Sequence, residues 1–337
     1  GCFMLACFLL SVSMSPHFPH SISFCAESTM HHVFGIVDGS ADALISPWRF
    51  QAHPEVWVLV AFLVGAWLYA MRFIGPLSPE VRAGEPVLTR RQAGMFGGVI
   101  MLLWLASDWP IHDISEEYLY SVHMFQHMAL SYFLPPLVLL ATPVWLFRAI
   151  IGSQRAGKVI RWLAKPVIAG VLFNVVVMIT HVPAMVNQSV SNPVLHYSLH
   201  VAVVTSALLM WIPVVAPDPA MRIGYGGRMV YLFLMSIIPT VPAAWLTFAE
   251  GVVYKQYDIA VRVWGLSVTT DQQIAGAVMK LGGSIFLWSI IIFLWFKRFM
   301  GDYGQQQSYS RKPDPVLTFD DVTREFDRVP AVPEPSR

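Results

Sequence analysis

Two histidines, His123 and His127, lie four residues apart inside a stretch that otherwise has the composition of a membrane span. Positions i and i+4 of a helix share one face, so the two imidazoles would stand one turn apart and point in the same direction. That spacing suits two ligands of one metal ion. Because an ionisable side chain is costly in hydrocarbon, the pair is also a candidate functional site from its position alone.

Further histidines are expected at the same depth. A second pair with the same spacing, His196 and His200, begins a later apolar segment, and His181 ends the segment before it. A single histidine at a membrane interface is explained by the preference of its polar tip for water. Two pairs on separate spans, at one depth and on one side, favour a shared site instead. The sequence therefore predicts five metal ligands: His123, His127, His181, His196 and His200.

The neighbouring side chains indicate which metal the site would hold. Met124 and Met128 stand beside the first pair, and a thioether prefers a soft ion such as copper(I), while imidazole accepts both copper and zinc. The chain has 16 Met, so both could equally be packing residues. Zinc catalysis would need a base, which Asp271 or Asp108 could supply, but the sequence has no HExxH signature. Copper is the favoured ion, with Asp271, Met124, Met128 and Asp108 expected around its ligands. Asp271 is expected to orient an imidazole by accepting a hydrogen bond from it.

One lysine, Lys280, falls within the last apolar segment, roughly 13 Å along the helix from its outer end by the rise per residue. A cation at that depth must reach the interface, line a water-filled cavity or pair with an acid. Asp271 is too far along the same helix to be that partner. We expect Lys280 to line a cavity or to bond to another span.

The composition assigns the protein to a class before any motif is considered. Of its 337 residues, 55% are hydrophobic and 13% are charged, and the mean hydropathy is +0.56. Soluble domains carry about 25% charged residues, so we expect an all-α polytopic membrane protein that contacts lipid. The net charge of +1 argues against a nucleic-acid partner, since phosphate binding needs clustered Lys and Arg. The three cysteines lie within the first 25 residues, which excludes a thiol site in the membrane body.

Seven apolar segments are long enough, or nearly so, to cross a bilayer as helices, which need about 20 residues each. They cover residues 56–74, 93–109, 118–147, 166–182, 195–215, 229–249 and 272–296. The third is long enough to tilt or to kink at Pro135–Pro136. We therefore predict a bundle of seven transmembrane helices.

The charges between the segments predict the orientation of the bundle. Basic residues fill the first, third and fifth loops and the start of the tail, for example Arg90, Arg161, Arg228 and Lys297. The second loop contains acids and no basic residue, and the fourth contains no charge. By the positive-inside rule the odd-numbered loops are cytoplasmic, so the N-terminus lies outside and the C-terminus inside. All histidines of the predicted site then lie on the outer side.

The same pattern divides the chain into three parts. Residues 1–47 form a leader or extracytoplasmic segment whose apolar run fits neither a signal peptide nor a span, and Met30 is a candidate initiator. Residues 48–298 form the seven-helix domain. Residues 299–337 are polar and rich in proline, so we expect a disordered cytoplasmic tail with at most a short helix near 320–328.

Several motifs occur in an order that resembles one membrane-protein family. They are His123-Met-Phe-Gln-His127-Met, Pro135-Pro136, Thr142-Pro143, Thr180-His181-Val-Pro183, Leu195-His196 to His200 with Trp211-Ile-Pro213, and Asp271-Gln-Gln-Ile-Ala-Gly276. This order and the span count are similar to the multi-spanning CtaG family of cytochrome c oxidase assembly factors, over about Trp48 to Arg298. That family is distinct from the single-span copper chaperone that has shared its name.

The resemblance implies a non-enzymatic role in maturing the oxidase in a bacterial plasma membrane. It implies that the protein handles or delivers copper on the outer face and meets an oxidase subunit during assembly. The matching positions are His123, His127, His181, His200 and Asp271, with His196 beside them. Lys280 departs from the apolar or aromatic residue expected at its position.

Two other functions remain open from the residues themselves. Histidines from facing spans could ligate haem in a membrane oxidoreductase, as in proteins similar to haem A synthase. A copper importer would need a polar path deeper in the bundle, to which Lys280 would contribute. A Soret band would indicate haem, and copper uptake that depends on Lys280 would indicate transport.

Overall fold

A computed structural model describes residues 46–152, 155–259, 263–310 and 318–328, without the side chains of 156 and 304–310. Nearly all of the predicted leader, with Met30 and the cysteines, lies outside the described residues, as do 311–317 and 329–337 of the predicted tail. The described residues form helices and no strand, which confirms the predicted all-α class.

The α-helices make up most of the described chain. In order they are α1 (Pro54–Tyr69), α2 (Pro79–Arg82), α3 (Arg90–Ser107), α4 (Ile111–Glu117), α5 (Tyr120–Met128), α6 (Leu134–Ala141), α7 (Val144–Ile151), α8 (Arg155–Leu163), α9 (Pro166–Thr180), α10 (Pro183–Ser191), α11 (Pro193–Val215), α12 (Tyr225–Ile237), α13 (Thr240–Thr247), α14 (Val268–Ser310) and α15 (Phe319–Arg328). Many begin with proline, whose missing N–H costs nothing in a first turn. Helix α3 begins instead with a capping box between Thr89 and Gln92.

Within the described residues, six helical segments are long and apolar enough to cross a bilayer. They are Pro54–Leu77, Arg90–Glu117, Tyr120–Ala141, Pro193–Val215, Tyr225–Thr247 and Val268–Tyr303. Helices α8 and α9 pass the same test only together, and they are bent by 78° at their junction. The structure thus has six spans, or seven if the bent pair counts as one, and the polytopic prediction is confirmed. The predicted fourth segment, 166–182, corresponds to α9, and the bend lies just before it, at Pro166.

Large apolar side chains cover the outside of these spans. Met101, Val167, Val171 and Ile285 are each more than half exposed. Soluble monomers rarely expose apolar patches of this extent, whereas a bilayer solvates them. Of the six spans, Tyr120–Ala141 is the most buried, so the helix that carries the first histidine pair stands at the centre of the bundle.

Contacts made by side chains join the loops into two groups, one at each end of the bundle. Arg148 from the third loop lies 2.9 Å from Asp218 of the fifth and 3.3 Å from Glu80 of the first. The hydrogen bond from Arg148 lowers the pKa of Asp218. In the other group, the Tyr257 hydroxyl donates to the Ser115 carbonyl at 3.3 Å, which joins the sixth loop to the end of the second span. This alternation agrees with the predicted topology, while the side of the membrane that each end faces stays a prediction.

The third predicted segment, 118–147, is interrupted in the structure. Helix α5 passes through a π-helical turn, Ala129–Phe133, into α6, and the chain leaves helical geometry at Thr142 before α7. Pro135 has no N–H to donate to the Ser131 carbonyl one turn earlier. The indole of Trp211 on α11 donates to that carbonyl instead, at 3.3 Å. The proline pair therefore changes the helix geometry one turn after His127 and ties α6 to α11.

The end of the membrane domain also differs from the prediction. The chain divides into two compact units, Gly1–Ile291 and Ile292–Arg337. The predicted boundary at residue 298 lies inside α14, and residues 299–310 are helical where a disordered tail was expected. A helix that is already formed extends at little cost, since each further residue adds one hydrogen bond for the backbone that it fixes. Helix α15 coincides with the short helix expected near 320–328.

Gly276 permits the close approach of α14 and α13. A β-carbon there would lie 2.5 Å from Thr247 Oγ1 and 2.7 Å from the Ala243 carbonyl oxygen. We expect Gly276→Ala to destabilise the protein by about 1–3 kcal/mol, since backbone atoms cannot move aside. Gly97→Ala in α3 is the matched control, because nothing lies within 4 Å of its β-carbon. Thermal unfolding in detergent should show a lower midpoint for Gly276→Ala alone, and equal midpoints would contradict this packing.

Candidate metal site

One pocket contains all five histidines predicted as ligands. His123 and His127 project from α5, His196 and His200 from the first turns of α11, and His181 follows α9. The space between their side chains is about 380 Å³, including its open mouth. The sequence placed these residues at one depth, and the fold brings their side chains to one cavity.

Four of the imidazoles are in direct contact. The ring centroids of His123 and His127 are 4.6 Å apart, those of His127 and His200 are 4.7 Å apart, and those of His196 and His200 are 4.5 Å apart. One nitrogen from each of His123, His127 and His200 lies within 4.8 Å of the other two. Helices α5 and α11 thus bring three imidazole nitrogens together in one small volume.

One polar atom of this group lacks a partner. Among the described residues, His200 Nε2 is buried and accepts or donates no hydrogen bond, whereas His123 Nδ1 faces the Glu116 carboxylate at 3.3 Å. A buried polar atom without a partner costs free energy, and a metal ion would satisfy it. Imidazole nitrogens suit copper in both oxidation states and zinc, so the residues present fit such an ion.

His181 is oriented for binding but stands apart from this group. Its Nδ1 donates to the Val177 carbonyl at 2.7 Å, which leaves Nε2 as the atom with a free lone pair. That Nε2 is buried and has no hydrogen-bond partner in the described part of the chain. It lines the pocket, yet it does not belong to the nitrogens that lie within 4.8 Å of one another.

Glu116 is a site residue that the sequence reasoning missed. Its Oε1 lies 3.3 Å from His123 Nδ1 and 3.1 Å from His196 Nε2. It also forms a group with His196 and His200 whose three ligand atoms lie within 4.8 Å of one another. The segment was treated as a loop, although it is the helix α4. The spacing of His112 and Glu116 at i and i+4 is the signal that could have revealed it.

Helix α4 is held in place by a network that includes the Gln126 of the first motif. The Gln126 amide donates to the Ala106 carbonyl at 2.7 Å and accepts from the Ser115 hydroxyl at 3.0 Å. Above it, His53 contacts Asp113 at 2.7 Å. Burial alone would lower the pKa of His53, but the hydrogen bond and charge of Asp113 outweigh it and raise that pKa. These contacts fix the backbone that presents Glu116.

The structure corrects the partner expected for Asp271. Its carboxylate accepts from the backbone N–H of Tyr120 at 2.7 Å, from that of Ser121 at 3.1 Å and from the Ser121 hydroxyl at 2.5 Å, instead of from an imidazole. Helix α5 has no capping side chain of its own, so Asp271 supplies the negative charge that a helix N-terminus favours. Asp271 therefore positions the helix that carries His123 and His127.

The rest of the same motif anchors a loop. The Gln272 side chain accepts from the Val253 N–H at 2.9 Å and donates to the Tyr254 carbonyl at 2.9 Å. Tyr254 in turn donates from its hydroxyl to the His181 carbonyl at 3.0 Å. Burial raises the pKa of Tyr254 to about 12 and that of Tyr257 well above its usual value, so both remain neutral donors.

Two other residues expected around the ligands lie elsewhere. Asp108 accepts from the indoles of Trp57 and Trp104 and from the Trp109 backbone N–H, and it does not line the pocket. Met128 faces α14, where its Cε lies 3.4 Å from the place of a Gly283 β-carbon. Met124 does line the pocket. A carboxylate at the end of a span has many backbone and indole donors within reach. The sequence alone does not predict which of these donors it binds.

Lys280 lies in a second pocket. Its Nζ donates to the Thr240 hydroxyl at 2.5 Å and to the Ser236 carbonyl at 3.3 Å. Tyr132 and Met279 are among the residues around it, and the space is about 190 Å³. Of the described residues, none lines both pockets. The lysine is thus both beside a cavity and bonded to one neighbouring span, Tyr225–Thr247, where the break between α12 and α13 offers a free carbonyl.

Comparison with known proteins assigns the chain to a family. No curated protein and no solved structure is similar enough to count as a match. The resemblance of the histidine, proline and Asp271 motifs predicted one family, and a family model tests that prediction over most of the membrane domain. The model of the cytochrome c oxidase caa3 assembly factor (Caa3_CtaG) matches residues 77–300, and the protein therefore belongs to this family of assembly factors.

Proposed function

We propose that the protein binds copper as cargo between α4, α5 and α11 and passes it to a cytochrome c oxidase subunit during assembly. In this role it is a carrier and not an enzyme. It acts in the bacterial plasma membrane, on the outer face, where the oxidase's copper centres are loaded. The assembly role is inferred from the family. Copper is inferred as the cargo because the cluster consists of imidazoles, which suit this ion.

The observation that carries the proposal is the group His123, His127 and His200. Their ligand atoms lie within 4.8 Å of one another, and the Nε2 of His200 is buried without a hydrogen-bond partner among the described residues. Desolvated imidazoles without protein partners are costly unless something binds them. Met124 in the wall adds a thioether that suits copper(I) better than zinc.

The packing of the cluster favours an ion over haem. A haem needs a flat slot between two axial imidazoles, with apolar side chains on either side. Here each ring packs on the next, and the centroids of His123 and His200 are 5.7 Å apart with His127 and His196 beside them. The cluster fills the space that a porphyrin would occupy.

The position of Lys280 favours a carrier over an importer. A transport path would join the outer cavity to polar groups deeper in the bundle. The described lining of the Lys280 pocket has no residue in common with the histidine pocket. Met124 lines one pocket and Met279 the other, and both belong to one buried apolar cluster. An ion that leaves the histidines would return through the mouth by which it entered.

Removal of both α5 ligands tests the proposal. We expect His123→Ala with His127→Ala to leave the protein inserted in the membrane while its copper content and the oxidase activity of the cells both fall. The loss follows because only His200 of the three-imidazole group remains. Phe125→Leu is the control, since its side chain lies on the same helix but is 56% exposed and does not line the pocket. Unchanged copper and unchanged oxidase activity in the double variant would contradict the assignment.

A further inference from the structure

Two sets of candidate ligands, in the pocket and at its edge, share one residue. The first set is His123, His127 and His200, and the second is Glu116, His196 and His200. In each set the three ligand atoms lie within 4.8 Å of one another. His200 is therefore common to both, and its imidazole stands between a group of nitrogens and a group that includes a carboxylate.

We propose that these sets are two alternative positions for one copper(I) ion, a resting position at His123, His127 and His200 and a transfer position at Glu116, His196 and His200. This inference rests on the proposed function and deepens it, because it assigns an order to binding and release. The ion moves between the positions while His200 stays bound to it, so it is never without a protein ligand.

The donor chemistry ranks the two positions. Copper(I) is soft and prefers nitrogen and sulfur donors, whereas a carboxylate oxygen suits harder ions. The three-imidazole position therefore holds copper(I) more tightly, and Met124 in the wall reinforces that preference. The position with Glu116 holds it less tightly, which is the property that release requires.

The placement of the residues agrees with this order. His127 and His200 each lie one helical turn further from the loop end than His123 and His196. Glu116 is on α4 at that end, and its side chain is 21% exposed. Burial alone ranks the two sets equally, since each has one buried and two half-buried residues. By its place along the helices, the transfer position is nearer to the surface from which a client would take the ion.

One ion at a time is expected. Two cations separated by a distance of this order in a poorly solvated site would repel each other strongly, and the two sets together contain a single carboxylate to offset them. Moreover, each set needs His200 to reach three ligands. Titration should therefore end at one copper(I) per chain.

Equilibrium and kinetic measurements on two variants separate this arrangement from a single site. The purified full chain in detergent is loaded with copper(I), and the chelator bicinchoninate is used as both competitor and acceptor. We expect Glu116→Gln to change the Kd by less than about threefold and to slow both uptake and release at least tenfold. We expect His127→Ala, which damages the resting position, to weaken the Kd at least tenfold. Glu116→Asp, which keeps the charge with a shorter side chain, should exchange at an intermediate rate.

Each contrary outcome identifies a different error. If Glu116→Gln weakens the Kd as much as His127→Ala does, Glu116 is an ordinary ligand of one site and the inference fails. If Glu116→Gln leaves the exchange rates unchanged, or if two ions bind per chain, the inference also fails while copper binding itself stands. If the wild-type chain binds no copper(I), the proposed function fails first and this inference fails with it.

Discussion

Replacement of His200 with alanine is expected to weaken copper(I) binding by at least about 100-fold, the largest effect of any single substitution in the pocket. His200 is the residue common to both sets of ligand atoms. Loss of a residue that only supports a metal ligand typically costs 10–100-fold in affinity, so loss of a shared ligand should reach or exceed the upper limit. Competition against a copper(I) chelator on the purified protein measures the change.

Met128→Leu is the matched control for this experiment. Met128 is next to His127 in the sequence, but its side chain packs toward Gly283 and away from the pocket. We expect its affinity to stay within about twofold of the wild type, since Leu and Met have similar volumes. If His200→Ala retained full affinity, the shared position of His200 would have no functional meaning and the copper site would have to be sought elsewhere.

Asp271→Ala is expected to cause the largest loss of stability, about 3 kcal/mol. Its carboxylate is almost fully buried and accepts three hydrogen bonds from the first two residues of α5. Hydrogen bonds to a charged group contribute about 1.5–3 kcal/mol each and are not additive, and the freed N–H groups would be left buried without partners. The thermal midpoint in detergent should fall, and copper binding should weaken because the helix start loses its support.

Asp302→Asn provides the comparison for the Asp271 variant. Asp302 is also an acid on α14, but its side chain is 69% exposed and pairs with Arg298, four residues earlier. Exposed pairs of this kind contribute little to stability, so we expect no measurable change in the midpoint. A midpoint for Asp271→Ala equal to that of Asp302→Asn would show that the cap does not hold α5.

The parts of this molecule that the sequence predicted are those that depend on periodicity and hydropathy. The apolar segments gave the spans because a bilayer requires long runs of apolar residues. The spacing of His123 and His127, and of His196 and His200, predicted that each pair shares one face of a helix, and the structure confirms that both segments are helical. The alternation of basic and acidic loops then predicted on which side of the membrane each histidine lies, so the five histidines were expected near one another.

The parts that the sequence did not predict depend on contacts between elements. Glu116 acts through the position of α4, a short helix that hydropathy does not separate from the preceding span. Asp271 was expected to accept from an imidazole, but the unsatisfied N–H groups of α5 attract its charge more strongly. The bend between α8 and α9 lies at Lys165–Pro166, before the apolar segment, so hydropathy does not pair α9 with the helix that precedes it.

Metal analysis of the purified wild-type chain tests the central claim most directly. The protein is isolated in detergent after growth with copper, and its copper, zinc and iron are measured per chain together with its visible spectrum. The account predicts one copper per chain, no Soret band and loss of that copper in the His200→Ala variant. A chain that contains haem, or that contains no more copper than His200→Ala does, would contradict it.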